Sequence, residues 1–229
     1  MVRTLLRQLS TIFILAGTFL LADVVLTLVW QEPVSALYAK WRQDALAGDL
    51  DKLSRPDLLP AEQRALDRLP VDSDRAAFLA RALKRRTTAG EPIARIRIPE
   101  IGVSTVVVEG TDGGSLRKGP GHYPETPLPG IHGTVAVAGH RTTYGAPFRD
   151  LDKLEKGDEI AVEMPYGRFV YSVEESRVVD PGALWVTRRV RHDRLVLTAC
   201  HPKYSAAERI VIFARIARTE QLAWTGVRT

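Results

Sequence analysis

RLVLTACHPKYSAAERIVIFARI, residues 194–216, contains two runs of Leu, Val, Ile and Phe joined by a short polar loop. Runs of this length, rich in β-branched and aromatic residues, read as two strands of a hairpin. Working outward, the same signature recurs in IARIRI (93–98), VSTVVVEG (103–110), GTVAVAGH (133–140), DEIAVEM (158–164) and GRFVYSVEESRVV (167–179). Glycine, proline and aspartate turns separate these runs. Helical punctuation is expected only around Gly114–Lys118 and near Pro147–Leu154. Seven or eight such strands in about 125 residues predict an all-β barrel or sandwich over residues 91–229.

The preceding 90 positions have a different character. Ser10–Trp30 is apolar apart from Asp23, and about 20 residues rising 1.5 Å each cross a hydrocarbon core. Arg3 and Arg7 precede this run and Gln31, Glu32 and Pro33 follow it, so the positive-inside bias keeps residues 1–9 in the cytoplasm. The expectation is a single-pass type II protein of the cell membrane, anchored through residues 10–30, with the rest extracytoplasmic and no second span in TEQLAWTGVRT. Val34-Ser35-Ala36 resembles a signal cleavage site, but the apolar run exceeds the ~7–15 residues of a signal core, which favours an anchor. Asp23 would cost about 2.5–3.5 kcal/mol at mid-membrane, which argues for a place near one interface or against a partner. Within residues 31–90, Val34, Leu37, Tyr38, Trp41 and Ala45, and later Ala76, Leu79, Ala80 and Leu83, recur at helical spacing. Pro60 opens one helix, Asp72 or Ser73 caps another, and Gly90 with Pro92 ends the series. The pattern leaves open whether these helices form a stalk or pack on the barrel.

A net charge of +5 is spread over arginines interleaved with carboxylates, so nucleic acid is not an expected partner. The one cysteine cannot form an internal disulfide, and the five histidines show no Cys/His cluster at ligand spacing. No metal or other cofactor is expected, and Glu174 and Glu175 read as a solvated strand face. Cys200 therefore has either a packing role or a chemical one. A thiol nucleophile needs a route to the thiolate, a proton donor for the leaving group and donors for the oxyanion. Cys200 closes its strand, where sulfur can reach the barrel rim. His140 shares strand phase with the small residues Ala136 and Ala138, and Gly139 permits close approach of a ligand or backbone. His201 points to the opposite face from Cys200, together with Leu195, Leu197 and Ala199. His122, His132 and His192 read as solvated loop residues. Arg209 opens the next strand and offers a forked, permanently charged donor.

The order His140, Cys200 at the end of a Leu-rich strand, then Arg209 resembles the sortases. LVLTACHPKYSAAERIV is similar to their active-site strand pair, and the likeness extends through GPGHYPETPLPG (119–130) and AGHRTTYGAPFRDLDKL (138–154), whose wording is nearest to class E sortases of high-GC Gram-positive bacteria. The resemblance implies an eight-stranded sortase β-barrel and cleavage of an LAxTG or LPxTG sorting signal between Thr and Gly. It implies Cys200 as nucleophile, His140 as general acid and base, and Arg209 as oxyanion and substrate stabiliser. The acceptor would be an amine of a lipid-linked peptidoglycan precursor, and the product a surface protein joined to the cell wall. Tyr144, Thr198 and Ala199 would contact substrate. The family strand usually carries Thr immediately before the cysteine. Here that position is Ala199, and Thr198 is the neighbouring hydroxyl.

Other readings share these residues. A hydrolytic cysteine peptidase would use the same acylation half, and a pilin-polymerising sortase would use a lysine acceptor. A non-catalytic anchored β domain that binds peptide is the alternative from outside enzymes.

Overall fold

The computed structural model describes residues 2–29, 33–53 and 58–220. Gln31, Glu32 and residues 221–229, which carry part of the topology and tail readings, lie outside the described residues. Eight strands close into a barrel: β1 (Pro92–Ile98), β2 (Val103–Glu109), β3 (Gly121–His122), β4 (Thr134–Ala138), β5 (Glu159–Met164), β6 (Gly167–Val179), β7 (Arg194–His201) and β8 (Glu208–Glu220). Their order around the barrel is β1-β2-β3-β4-β7-β8-β6-β5. β4 and β7 run parallel, with Ala138 opposite Thr198, while β7 and β8 form the antiparallel hairpin read from the sequence. The expected barrel is the one that forms.

Strand alternation sorts the side chains. Leu195, Leu197 and Ala199 of β7 point inward with Ile210, Ile212 and Ala214 of β8 and with Val135 and Val137 of β4. Full burial of each larger side chain contributes about 1.5–3 kcal/mol. The intervening residues point outward. There Ala136, Val196, Val211 and Phe213 are covered by Val186, from a single 3-10 turn at Leu184–Thr187. That turn and another at Pro99–Ile101 were not legible as helical punctuation; α5 (Gly113–Leu116) and a 3-10 turn at Leu151–Lys153 match the two expected positions.

Ahead of the barrel come α1 (Val2–Val29), α2 (Pro33–Leu53), α3 (Pro60–Asp67) and α4 (Asp72–Arg86). α1 contains a 20-residue apolar stretch, Leu6–Val25, long enough to cross a membrane and not buried anywhere in the molecule. α3 starts at Pro60, where the Glu62 carboxylate accepts from the Leu59 amide at 3.1 Å. The helices are packed, not a free stalk: Leu66, Ala76, Leu79 and Ala80 join the barrel's own core. Leu46 and Leu50 of α2 pack on Val106 and Val108 of β2.

One polar contact fixes α2. β3 is only two residues long, so the β2 edge at Val106 lacks a strand partner. The Gln43 side chain fills that place. Its Oε1 accepts from the Val106 amide at 2.6 Å and from Thr105 Oγ1 at 2.8 Å, and its Nε2 donates to the Val106 and Lys118 carbonyls at 3.1 and 2.8 Å. Gly119 admits the amide, because a Cβ there would stand 2.4 Å from Gln43 Nε2.

Candidate active site

β4, β7 and β8 lie side by side, and His140, Cys200 and Arg209 stand at or just beyond their ends. Cys200 pairs directly with Arg209 across the β7–β8 ladder. On the other flank, Gly139 N–H continues the β4–β7 register by donating to Thr198 O at 3.0 Å. His140 and Cys200 each stand two positions beyond the Ala138–Thr198 pair. Adjacent strands are about 4.8 Å apart, and residues in matching register face the same way. His140, Cys200 and Arg209 thus form a row on the outer face of the barrel, each partly exposed.

Below the row, Thr198 is buried and shares a 3.0 Å hydrogen bond with Tyr123 Oη. The wall beyond is the Leu184–Thr187 turn, with Trp185 stacked on Phe213 at 6.0 Å between ring centroids. Arg209 Nη1 donates to the Ala206 and Glu208 carbonyls at 3.0 and 2.8 Å, which ties the guanidinium to the β7–β8 loop.

His140 is held by its loop. Phe148 N–H donates to His140 O at 3.0 Å, and the fully buried Phe148 ring occupies the space beside Gly139. A Cβ at Gly139 would stand 2.4 Å from that ring. The glycine therefore serves an aromatic side chain of the same loop, not the ligand or partner backbone expected for it. Tyr144, Gly145 and Ala146 take successive left-handed conformations, with φ of 50°, 76° and 42°. Such backbone costs energy at non-glycine positions and tends to accompany functional loops. Here the loop lays the Tyr144 ring against His140, 5.0 Å between centroids and tilted 44°. Burial lowers the His140 pKa from its ordinary 6.5, and the nearby positive charge of Arg117 lowers it further.

Two sequence expectations change. Ala199 faces the barrel core and is 3% exposed, so its side chain lies on the opposite face from Cys200. The hydroxyl that this position lacks would have pointed inward, which leaves only the Ala199 backbone on offer to substrate. His122 is no solvated loop residue: it sits in β3, 1% exposed, with Nδ1 2.9 Å from Glu109 Oε2 and Nε2 3.0 Å from Thr126 Oγ1. A buried imidazole needs both nitrogens paired, and this one has them paired internally. Among the described residues no group of His, Cys, Asp or Glu side chains is placed to hold a metal ion.

Arg141 is a residue that sequence reasoning missed. It is 3% exposed and joins the segment after β4 to the end of β7: Nη1 donates to His201 Nδ1 at 2.7 Å, Nε donates to Arg149 O at 3.2 Å, and Nη2 pairs with Asp152 at 2.8 Å. Lys203 of the β7–β8 loop pairs with Asp150 at 3.1 Å. Burial opposes ionisation of Asp150, but Lys203 and Lys153 outweigh it and hold the carboxyl below its usual range. His201 thus belongs to this strap, on the side away from Cys200. The signal for Arg141 was its place directly after His140, yet most arginines at such positions are solvated, and its burial follows from the loop's return.

A family model described as a sortase domain matches residues 96–217, which contain Cys200, His140 and Arg209. The chain is 34% identical to Sortase D of Bacillus subtilis over 130 residues, 55% of this chain and 64% of that protein. It is 31% identical to Sortase SrtE1 of Streptomyces coelicolor over 143 residues, 56% of this chain and 41% of that one. It therefore spans less than two thirds of the length of these curated relatives. Among solved structures, sortase E from Streptomyces avermitilis aligns with a TM-score of 0.56 at 32% identity, covering 62% of this chain and 97% of that one. With the barrel, the strand-end row and the matched span in agreement, the chain belongs to the sortase family.

Proposed function

We propose that this chain is a cysteine transpeptidase acting outside the membrane that α1 crosses. The observation that carries the reading is the row of Cys200, His140 and Arg209 on three adjacent strand ends, each partly exposed. The substrate is a C-terminal LAxTG or LPxTG sorting signal of a secreted protein. Cys200 Sγ attacks the Thr carbonyl carbon, and the oxyanion that develops lies within reach of the Arg209 guanidinium. The C–N bond then breaks, and His140 gives its proton to the departing glycine amine, leaving a thioester on Cys200. An acceptor amine attacks that thioester, His140 takes the amine's proton, and the C–S bond breaks to restore the thiolate. A cell-wall precursor supplies the amine, so the product is a surface protein joined to peptidoglycan. Tyr144, whose ring lies against His140, is assigned the sensing of the residue that distinguishes LAxTG from LPxTG.

Full chain in detergent, incubated with LAxTG and LPxTG peptides and a glycine amine, tests the reading. Ligated product dominating over hydrolysed product is expected. Cleavage that yields only free acid at saturating amine would make the chain a peptidase, and no cleavage of either peptide would remove the sorting-signal assignment.

A further inference from the structure

α2 carries a patch that the barrel does not use. Leu37, Tyr38 and Trp41 are 72%, 41% and 61% exposed in its first turns. Ala39, Gln43, Leu46 and Leu50 recur at helical spacing on the opposite side and make the contacts with the barrel. The Arg42 guanidinium lies 5.2 Å from the Tyr38 ring centroid and 5.1 Å from that of Trp41, and its Nε donates to Tyr38 Oη at 2.9 Å. Outside α1, other exposed large apolar side chains among the described residues stand apart in sequence, except Leu184 and Trp185 of the Leu184–Thr187 turn. Three on one helix face, clasped by an arginine, call for something to cover them.

Position in the chain says what covers them. α1 ends at Val29 and α2 begins at Pro33, so the patch follows directly on the apolar helix. Trp and Tyr favour the headgroup level of a bilayer, and Lys and Arg extend from it to lipid phosphates. Lys40 and Arg42 are at that level, whereas Asp44, Asp49 and Asp51, all exposed, come later in the helix and are repelled by anionic lipid. Only the first turns of α2 suit a lipid surface.

We propose that the Leu37–Arg42 segment of α2 lies in the headgroup region of the membrane that α1 crosses. Leu37, Tyr38 and Trp41 meet the acyl boundary there, and Lys40 and Arg42 meet phosphates. Gln43 then gives the contact a consequence, because it locks α2 to β2 and so fixes how the barrel stands on the bilayer. Gly145 packs against Ala39, where a Cβ would stand 3.1 Å from Ala39 Cβ, so the Tyr144 loop is held close to the same membrane-proximal end. The inference rests on α1 being a membrane span, and its test is independent of peptide chemistry.

Full chain reconstituted in vesicles of anionic phospholipid, with phosphatidylcholine brominated high on its acyl chains, is compared with Trp41→Phe by tryptophan emission. The bromolipid-quenchable emission is expected to fall about twofold in Trp41→Phe. Equal quenching in the two proteins, with Trp41 open to aqueous iodide, would overturn the proposal and leave the patch to a protein partner. A chain that stays out of the vesicles would overturn the anchor reading along with it.

Discussion

His140 shows how two causes can act on one ring. Burial disfavours the imidazolium, and the Arg117 charge disfavours it further, so the folded-state pKa lies below 6.5. As pH falls, the unfolded chain takes up this proton before the folded one does. The contribution to stability is therefore intact above the unfolded value and erodes as pH drops from there toward the folded value. In the proposed mechanism, the proton that His140 gives to the leaving amine becomes scarcer as pH rises through the folded value. Arg117→Gln removes the second cause, and the His140-dependent limb of the pH–rate profile is expected to move to higher pH. An unmoved limb would show that Arg117 does not act on His140. At this scale the positions were legible: Cys200 and Arg209 stand at the strand ends expected for them and His140 just beyond β4, while the roles given to them come from the sortase resemblance. Gly139, Ala199 and His122 were misread because their meaning depends on what fills the adjacent space, here Phe148, the barrel interior and Glu109.

At the scale of elements, the strands were legible because a period of two survives in nearly every run, and β7 with β8 shows it most clearly. The helices of residues 31–90 were legible as helices, but their attachment was not. A glutamine at helical spacing gives no sign that its amide will complete a sheet edge. Gln43→Ala is expected to leave the Val106 N–H and C=O without partners and to cost about 1–3 kcal/mol in denaturant unfolding. Faster amide exchange at Val106 should accompany it. Unchanged stability with unchanged exchange would mean that water replaces Gln43 without penalty.

For the whole molecule, the barrel and the helices before it share one core, so packing continues across the composition change near Glu91. Leu66, Ala76, Leu79 and Ala80 close one part of the barrel, and burial of the two leucines alone contributes about 1.5–3 kcal/mol each. A fragment of residues 91–229 should therefore melt well below one of residues 33–229 and bind more of an apolar dye. Equal melting of the two would show that α2, α3 and α4 are dispensable. Sequence could not reveal this because a helix packed on a barrel and a solvated helix carry the same apolar spacing. The central claim concerns the sulfur of Cys200. Intact-mass measurement of the full chain mixed briefly with an LAxTG peptide, without amine, should show a thioester adduct equal to the peptide up to its Thr. The adduct should map to Cys200 and be lost on adding a glycine amine. Absence of any adduct, together with peptide cleavage that persists in Cys200→Ala, would contradict the account.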